Sequence, residues 1–326
     1  MPKTDKAHEW TDEELKKLER RITRIYREAR DELQETIDKY FESFAKRDEE
    51  MKALIGTTQN GKEWTEQDYK QWRLAQIGRG KRFEALRDKI AERMTKANEI
   101  AVALANGDIA KIYAMNRNYA IETAKEQAGD ALVGEDFIQW DEETVNRLLV
   151  DEPDLMPYYP AERAVKRGID LAWGKRQITA NVTSGILQGK SIGKIASDLQ
   201  RDIPEMNRTS AVRAARTAVT RAENAGRQDA ADDLEKRGVI LEKEWIAIID
   251  GRTRHAHRRA DGQRVENDEP FIVGGEKLMF PGDDSMGASG WNIYNCRCTR
   301  AVHVKGFKSI LTEKQRKKAN IRVVRS

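Results

Sequence analysis

"TDEELKKLERRITRIY", residues 11 to 26, decides how this chain is built. Thr11 stands where an N-cap belongs and Glu14 follows three residues on, the arrangement of a capping box that satisfies amides at a helix start. Apolar residues then recur in steps of three and four: Leu15, Leu18, Ile22, Ile25, Ala29, Leu33, Ile37, Tyr40 and Phe44. The spacing predicts a long amphipathic helix over 11–55 with one narrow apolar stripe. A stripe that narrow suits a single neighbour in a coiled-coil-like pair.

Working outward, "GTTQNGKEWTEQDY" at 56–69 breaks the helix, and Thr65 is placed to cap the next. Helical spacing resumes from 66 to about 133 through Trp72, Ile77, Phe83, Leu86, Ile90 and Met94. "VDEPDLMPYYP", 150–160, holds three of the seven prolines and is the expected linker. Residues 161–237 are predicted as shorter helices, one of them capped by Ser191. The arginines at 208, 213, 216, 221 and 227 are interspersed with Glu223, Asp229, Asp232 and Asp233, which predicts a solvated helix face. After Gly238, "VILEKEWIAIID" turns to β-branched and apolar residues, the signature of a strand.

The expected fold class is therefore mainly α, an elongated helical N-terminal body with a small C-terminal α+β module. The expected parts are a long-helix domain at 1–150, a helical domain at 161–237, the module at 238–304 and a basic tail at 305–326. Composition agrees, because 35% charged residues against 39% hydrophobic ones describe exposed, charge-laced helices. The sequence has no run of about 18 apolar residues and no apolar core near Met1, so a membrane partner and a leader peptide are not expected. "GKSIGK" lacks the spacing of a phosphate-binding loop. The tail carries eight Lys or Arg against the single acid Glu313, a charge suited to DNA or to an acidic protein surface.

The chemistry gathers near the C-terminus. Both cysteines, Cys296 and Cys298, sit in "YNCRCTR", and three of the four histidines, His255, His257 and His303, fall in the same region. One intervening residue rules out a useful structural disulfide between them, which leaves metal binding or packing. Alternation along a strand would put both thiols on one face as small buried hydrophobes, with His257 bonded to Asp250 or Asp261. A strand-ending Asp250 with a His pair also suggests a DNA-binding protein or a metal-dependent nuclease. In the glycine-rich loop before the cysteines, Phe280, Met286, Trp291 and Tyr294 are apolar anchors expected to cover the module's core, the alternative being that they are buried by docking on a partner.

The order of Asp250, "RTRHAH…DG", the FPGD turn and a final "NCRC" before a strand resembles the phage head morphogenesis family, minor head proteins similar to the F protein of phage Mu. The resemblance implies a metal knuckle built from a C-x-x-C and an H-x-x-C-x-C. Here Arg254, His257 and Ile293 occupy the first two cysteine positions and the histidine position, so the ligands that remain are His257, Cys296 and Cys298, and the implied cofactor is a structural zinc. The resemblance also implies a structural, non-enzymatic protein of the virion, made in the host cytoplasm. Its implied partners are the portal protein, the major capsid or scaffolding protein, and packaged DNA through the basic tail.

Overall fold

A computed structural model describes residues 5–129, 139–145 and 169–308. The expected linker at 150–160 and the tail from residue 309 onward lie outside the described residues. The chain is mainly helical: α1 (Lys6–Ala53), α2 (Glu66–Gln76), α3 (Lys81–Ala128), α4 (Ile169–Leu187) and α5 (Ile192–Lys236). A two-stranded hairpin, β1 (Thr58–Gln59) and β2 (Lys62–Glu63), follows α1. The C-terminal region holds β3 (Val239–Ile246), α6 (His255–Ala260), β4 (Arg264–Glu266), β5 (Phe271–Val273), β6 (Glu276–Leu278), α7 (Gly290–Ile293) and β7 (Thr299–Phe307).

The chain divides into two compact units. A helical unit comprises Glu14–Gly107 and Pro157–Ala215, and a mixed unit comprises Met1–Glu13, Asp108–Met156 and Arg216–Ser326. The three longest helices each contribute to both.

In the helical unit α1 and α3 run antiparallel. Tyr26 donates to Asn98, Arg93 pairs with Glu32, Lys89 donates to Thr36 and Arg82 to Ser43, so partners rise along one helix as they fall along the other. The predicted stripe is buried, with Tyr26 and Phe41 inside where Ile25 and Phe44 were expected. Steps of three and four drift on a 3.6-residue turn, so a straight helix moves the buried line by one residue. α1 also begins earlier than the expected cap. Asp5 accepts the His8 amide at 2.9 Å and is the true N-cap, while the Thr11 hydroxyl lies inside the helix and donates to the Ala7 carbonyl. Thr65 caps α2 with a capping box, as expected.

In the mixed unit the second halves of α3 and α5 cross at Gly226. A Cβ there would lie 2.4 Å from the Tyr113 carbonyl oxygen, so only glycine permits the approach. β3 is the centre of a three-stranded antiparallel sheet in the order β4–β3–β7, with a bulge between Ile240 and Leu241. One core joins Ala120, Ile121 and Ala124 to Ala230, Leu234 and the strand residues Val239, Leu241 and Val302. A second surrounds Trp245 with Phe271, Val273, Leu278 and both cysteines. The β5–β6 hairpin turns through Gly274 and Gly275, both at positive φ as a two-residue turn of the I′ type requires.

Candidate functional site

Cys296, Arg297 and Cys298 form the extended approach to β7. Alternation sends both thiols inward, each 2% exposed, and Arg297 the opposite way, where its guanidinium grips both oxygens of Asp250 at 2.7 Å. α5 holds this stretch by its backbone. The Asn295 amide donates to the Thr217 hydroxyl at 2.9 Å, Thr220 donates to the Cys296 carbonyl at 2.6 Å and the Asn224 amide group to the Cys298 carbonyl at 3.2 Å. Asn295 itself adopts φ 59°, the left-handed region Asn tolerates better than most residues, and so turns the chain from α7 into the cysteines.

α6 brings His257 to the same point. Its Nδ1 lies 3.3 Å from the Cys298 sulfur and 3.5 Å from the Cys296 sulfur, and its ring packs edge-on against Trp245 at 5.7 Å between centroids. Among the described residues, His257, Cys296 and Cys298 are the group of potential metal ligands, with ligand atoms within 4.8 Å of one another and all three buried. The two thiols share their protons unequally. Cys298 hydrogen-bonds to Cys296 and holds it well below the ordinary thiol range against the opposing effect of burial, with His257 adding to the shift. The same bond, together with burial, pushes Cys298 well above it.

These distances suit a tetrahedral zinc, whose N-to-S edges are roughly 3.5 Å given Zn–N near 2.0 Å and Zn–S near 2.3 Å. The three residues supply three corners. The acids and histidines nearest in sequence are engaged elsewhere or exposed: Asp250 by Arg297, Asp261 by the Ala247 amide at 2.9 Å and His303 by Glu244 at 2.8 Å, while His255 faces solvent. The expected bond from His257 to Asp250 or Asp261 is therefore replaced by contact with the thiols. His257 Nε2, the ring nitrogen turned away from the thiols, is buried without a hydrogen-bond partner among the described residues.

Behind the cysteines lies a buried ionic network that sequence reasoning missed. Glu223 accepts from Thr299 at 2.6 Å and lies 2.8 Å from His8, and Arg227 donates to Asp5, Asn116 and the Arg300 carbonyl. Burial opposes the charge on His8 and on Glu223, yet their mutual attraction outweighs it, raising His8 and lowering Glu223. The solvated face expected of this part of α5 is corrected accordingly, because Glu223 and Arg227 are each 2% exposed. The signal for it was a run of polar residues, Thr217, Thr220, Asn224 and Arg227, three or four apart among alanines. The loop expectation is also corrected, since Met286, Trp291 and Tyr294 are exposed and do not cover the core.

The family model described as Phage Mu protein F like protein matches residues 176–301, a span that holds α5, β3, β4, the start of β7 and all three candidate ligands. The minor head protein GP7 of Bacillus phage SPP1 is 32% identical over 135 residues, covering 40% of this chain and 42% of that protein. NAD(+)--arginine ADP-ribosyltransferase EFV of Enterococcus faecalis is 31% identical over 132 residues, covering 40% of this chain and 26% of that protein. The chain thus spans less than half the length of either relative. No solved structure matches. Residues 176–301 are thus similar to the phage Mu F-like minor head proteins.

Proposed function

We propose that this chain is a structural component of the phage head that docks, through the module of residues 238–304, on the portal protein or on the major capsid or scaffolding protein, and assists head assembly and genome packaging or ejection. The observation that supports docking is the module's exposed aromatic edge. Trp291 is 72% exposed, with the Arg254 guanidinium 5.7 Å over its ring and Tyr294 three residues on. Trp, Tyr and Arg supply most of the anchoring residues of protein interfaces, and a large aromatic left in water gains most by being covered. Co-expression with the portal and capsid proteins tests the reading. Trp291→Ala with Tyr294→Ala is expected to lose the co-purifying head protein without loss of fold, and retention of the partner by this variant overturns the docking.

The cysteine–histidine group is proposed as the module's internal staple, with a structural zinc as the occupant its donors fit. About one zinc per purified chain is expected, lost in Cys298→Ser along with thermal stability; zinc far below that level leaves only the hydrogen-bonded staple. The basic tail is proposed to touch packaged DNA. Asp250, the acid that a nuclease reading would need for metal or water, is committed to Arg297, and that alternative is not favoured. The likeness to the transferase covers a quarter of that protein, and a structural role predicts that the purified chain with NAD+ leaves arginine substrates unmodified.

A further inference from the structure

One face of α1 in the helical unit carries Arg20, Arg24 and Arg27, all exposed. At 3.6 residues per turn they fall within about 60° of one another and span about 10 Å of helix. None of the three makes an ion pair or hydrogen bond with any described residue, although carboxylates are abundant on this helix. Evenly spaced, unneutralised guanidiniums in a chain that pairs so many of its other charges point to an external anion.

The row lines a shallow concavity of about 480 Å³ that joins, at Thr23 and Arg27, a second concavity of about 460 Å³ between α1 and α5. The second adds Arg30 from α1 and Arg201 and Arg208 from α5. These three pair with Asp31, with Asp198 and Asp202, and with Glu205, surface ion pairs that exchange readily for a phosphate. Glu19 and Glu205 are the carboxylates within the two concavities.

From this surface we infer that the α1–α5 groove of the helical unit binds the phosphate backbone of double-stranded DNA, independently of sequence and separately from the basic tail. Length argues against a small anion, because the guanidiniums from Arg20 to Arg30 run about 15 Å along the helix, several phosphates at 3.4 Å of rise per strand. Arginine forks match phosphate oxygens two at a time. Single strands are disfavoured because sequence-tolerant binding to them needs exposed aromatic platforms. The one ring in the groove, Tyr26, is 1% exposed and its hydroxyl is tied to Asn98. Side chains that reach only phosphates position DNA without selecting sequence.

The inference does not rest on the head assignment, since the assay needs no other head protein. Binding of the full chain to a fluorescent duplex of arbitrary sequence is followed by anisotropy across a salt series. Arg20→Gln, Arg24→Gln and Arg27→Gln together are expected to weaken binding at least about tenfold and to lower the log–log salt slope by about 2.7, roughly 0.9 for each phosphate no longer neutralised. The control combination Arg252→Gln, Arg259→Gln and Lys277→Gln removes the same charge from exposed sites of the mixed unit and is expected to bind as the parent does. All six positions are exposed, so unchanged melting shows that each variant folds. Parent-like binding by the groove variant overturns the inference, as does an equal loss in the control, which would mark a diffuse charge effect. Competition by polyglutamate as strong as by duplex DNA overturns it in favour of an acidic protein partner.

Discussion

Lys243 is a buried cation in the central strand of a sheet, with its ammonium bonded to the Met279 carbonyl at 2.9 Å and lying 3.4 Å from Gln228 Oε1. Burial and the neighbouring Arg300 push it down to about 7, against the pull of Asp232, Asp283 and Asp268. In the unfolded chain it holds its proton to about 10.4. Between those values the unfolded state binds more protons than the folded one, so stability rises with pH, by up to about 1.4 kcal/mol per unit, and the gain disappears below pH 7. Lys243→Met, which keeps the length and drops the charge, is expected to flatten this slope in urea melts taken from pH 7 to 10. His8, raised above its ordinary value, loses its contribution as pH climbs, so the difference between parent and variant isolates the lysine. A variant with the parent's slope would show that Lys243 stays charged in the fold. None of this was legible beforehand, because in "VILEKEWI" Lys243 stands between Glu242 and Glu244, a run of charges that reads as exposed to solvent. The three candidate ligands were legible as residues, since two cysteines one residue apart and a histidine before an Asp-Gly turn stand out in any chain. Their convergence was not, because it depends on α6 folding back over 39 residues of separation from Cys296.

Among elements, helices were the most readable and their closest crossing the least. The stripe on α1 predicted a paired helix because a 48-residue amphipathic segment has no other way to bury Leu18, Ile22, Leu33 and Ile37. The β1–β2 hairpin was legible too: Asn60-Gly61 is the usual sequence mark of a two-residue hairpin turn, and both residues take positive φ. Gly226 gave no such sign, being one small residue in an alanine-rich helix. Its substitution is the sharpest test of the α3–α5 crossing. Gly226→Ala is expected to lower stability by about 1–3 kcal/mol or more, because the new methyl meets a backbone carbonyl that cannot rotate away. Ordinarily an exposed-helix glycine gains from the same change. An unchanged urea midpoint would therefore mean that the two helices sit further apart than described.

At the scale of the whole molecule, the expected division at 150–160 carries its own test: limited proteolysis is expected to cut there first, and the absence of a cut in that stretch overturns the linker. Each unit is assembled from segments on both sides of that point. Gln200 reaches Asp38 within the helical unit, and Arg117 reaches Asp229 within the mixed unit. The two fragments of a nicked chain are accordingly expected to co-elute in native size-exclusion chromatography and to separate in urea. Separation without denaturant would contradict the discontinuous units. Arg227 donates to the carboxylate of Asp5 across 222 residues of sequence, and Glu223 meets His8 across 215. A ribosome adding roughly 5–20 residues per second needs about 10–45 s to cover that interval. The opening turn of α1 must wait that long with an acid and a histidine in water, while the helical unit can close as soon as Ala215 has been made. The order of synthesis and the order of completion are thus reversed: what is translated first is among the last to be buried.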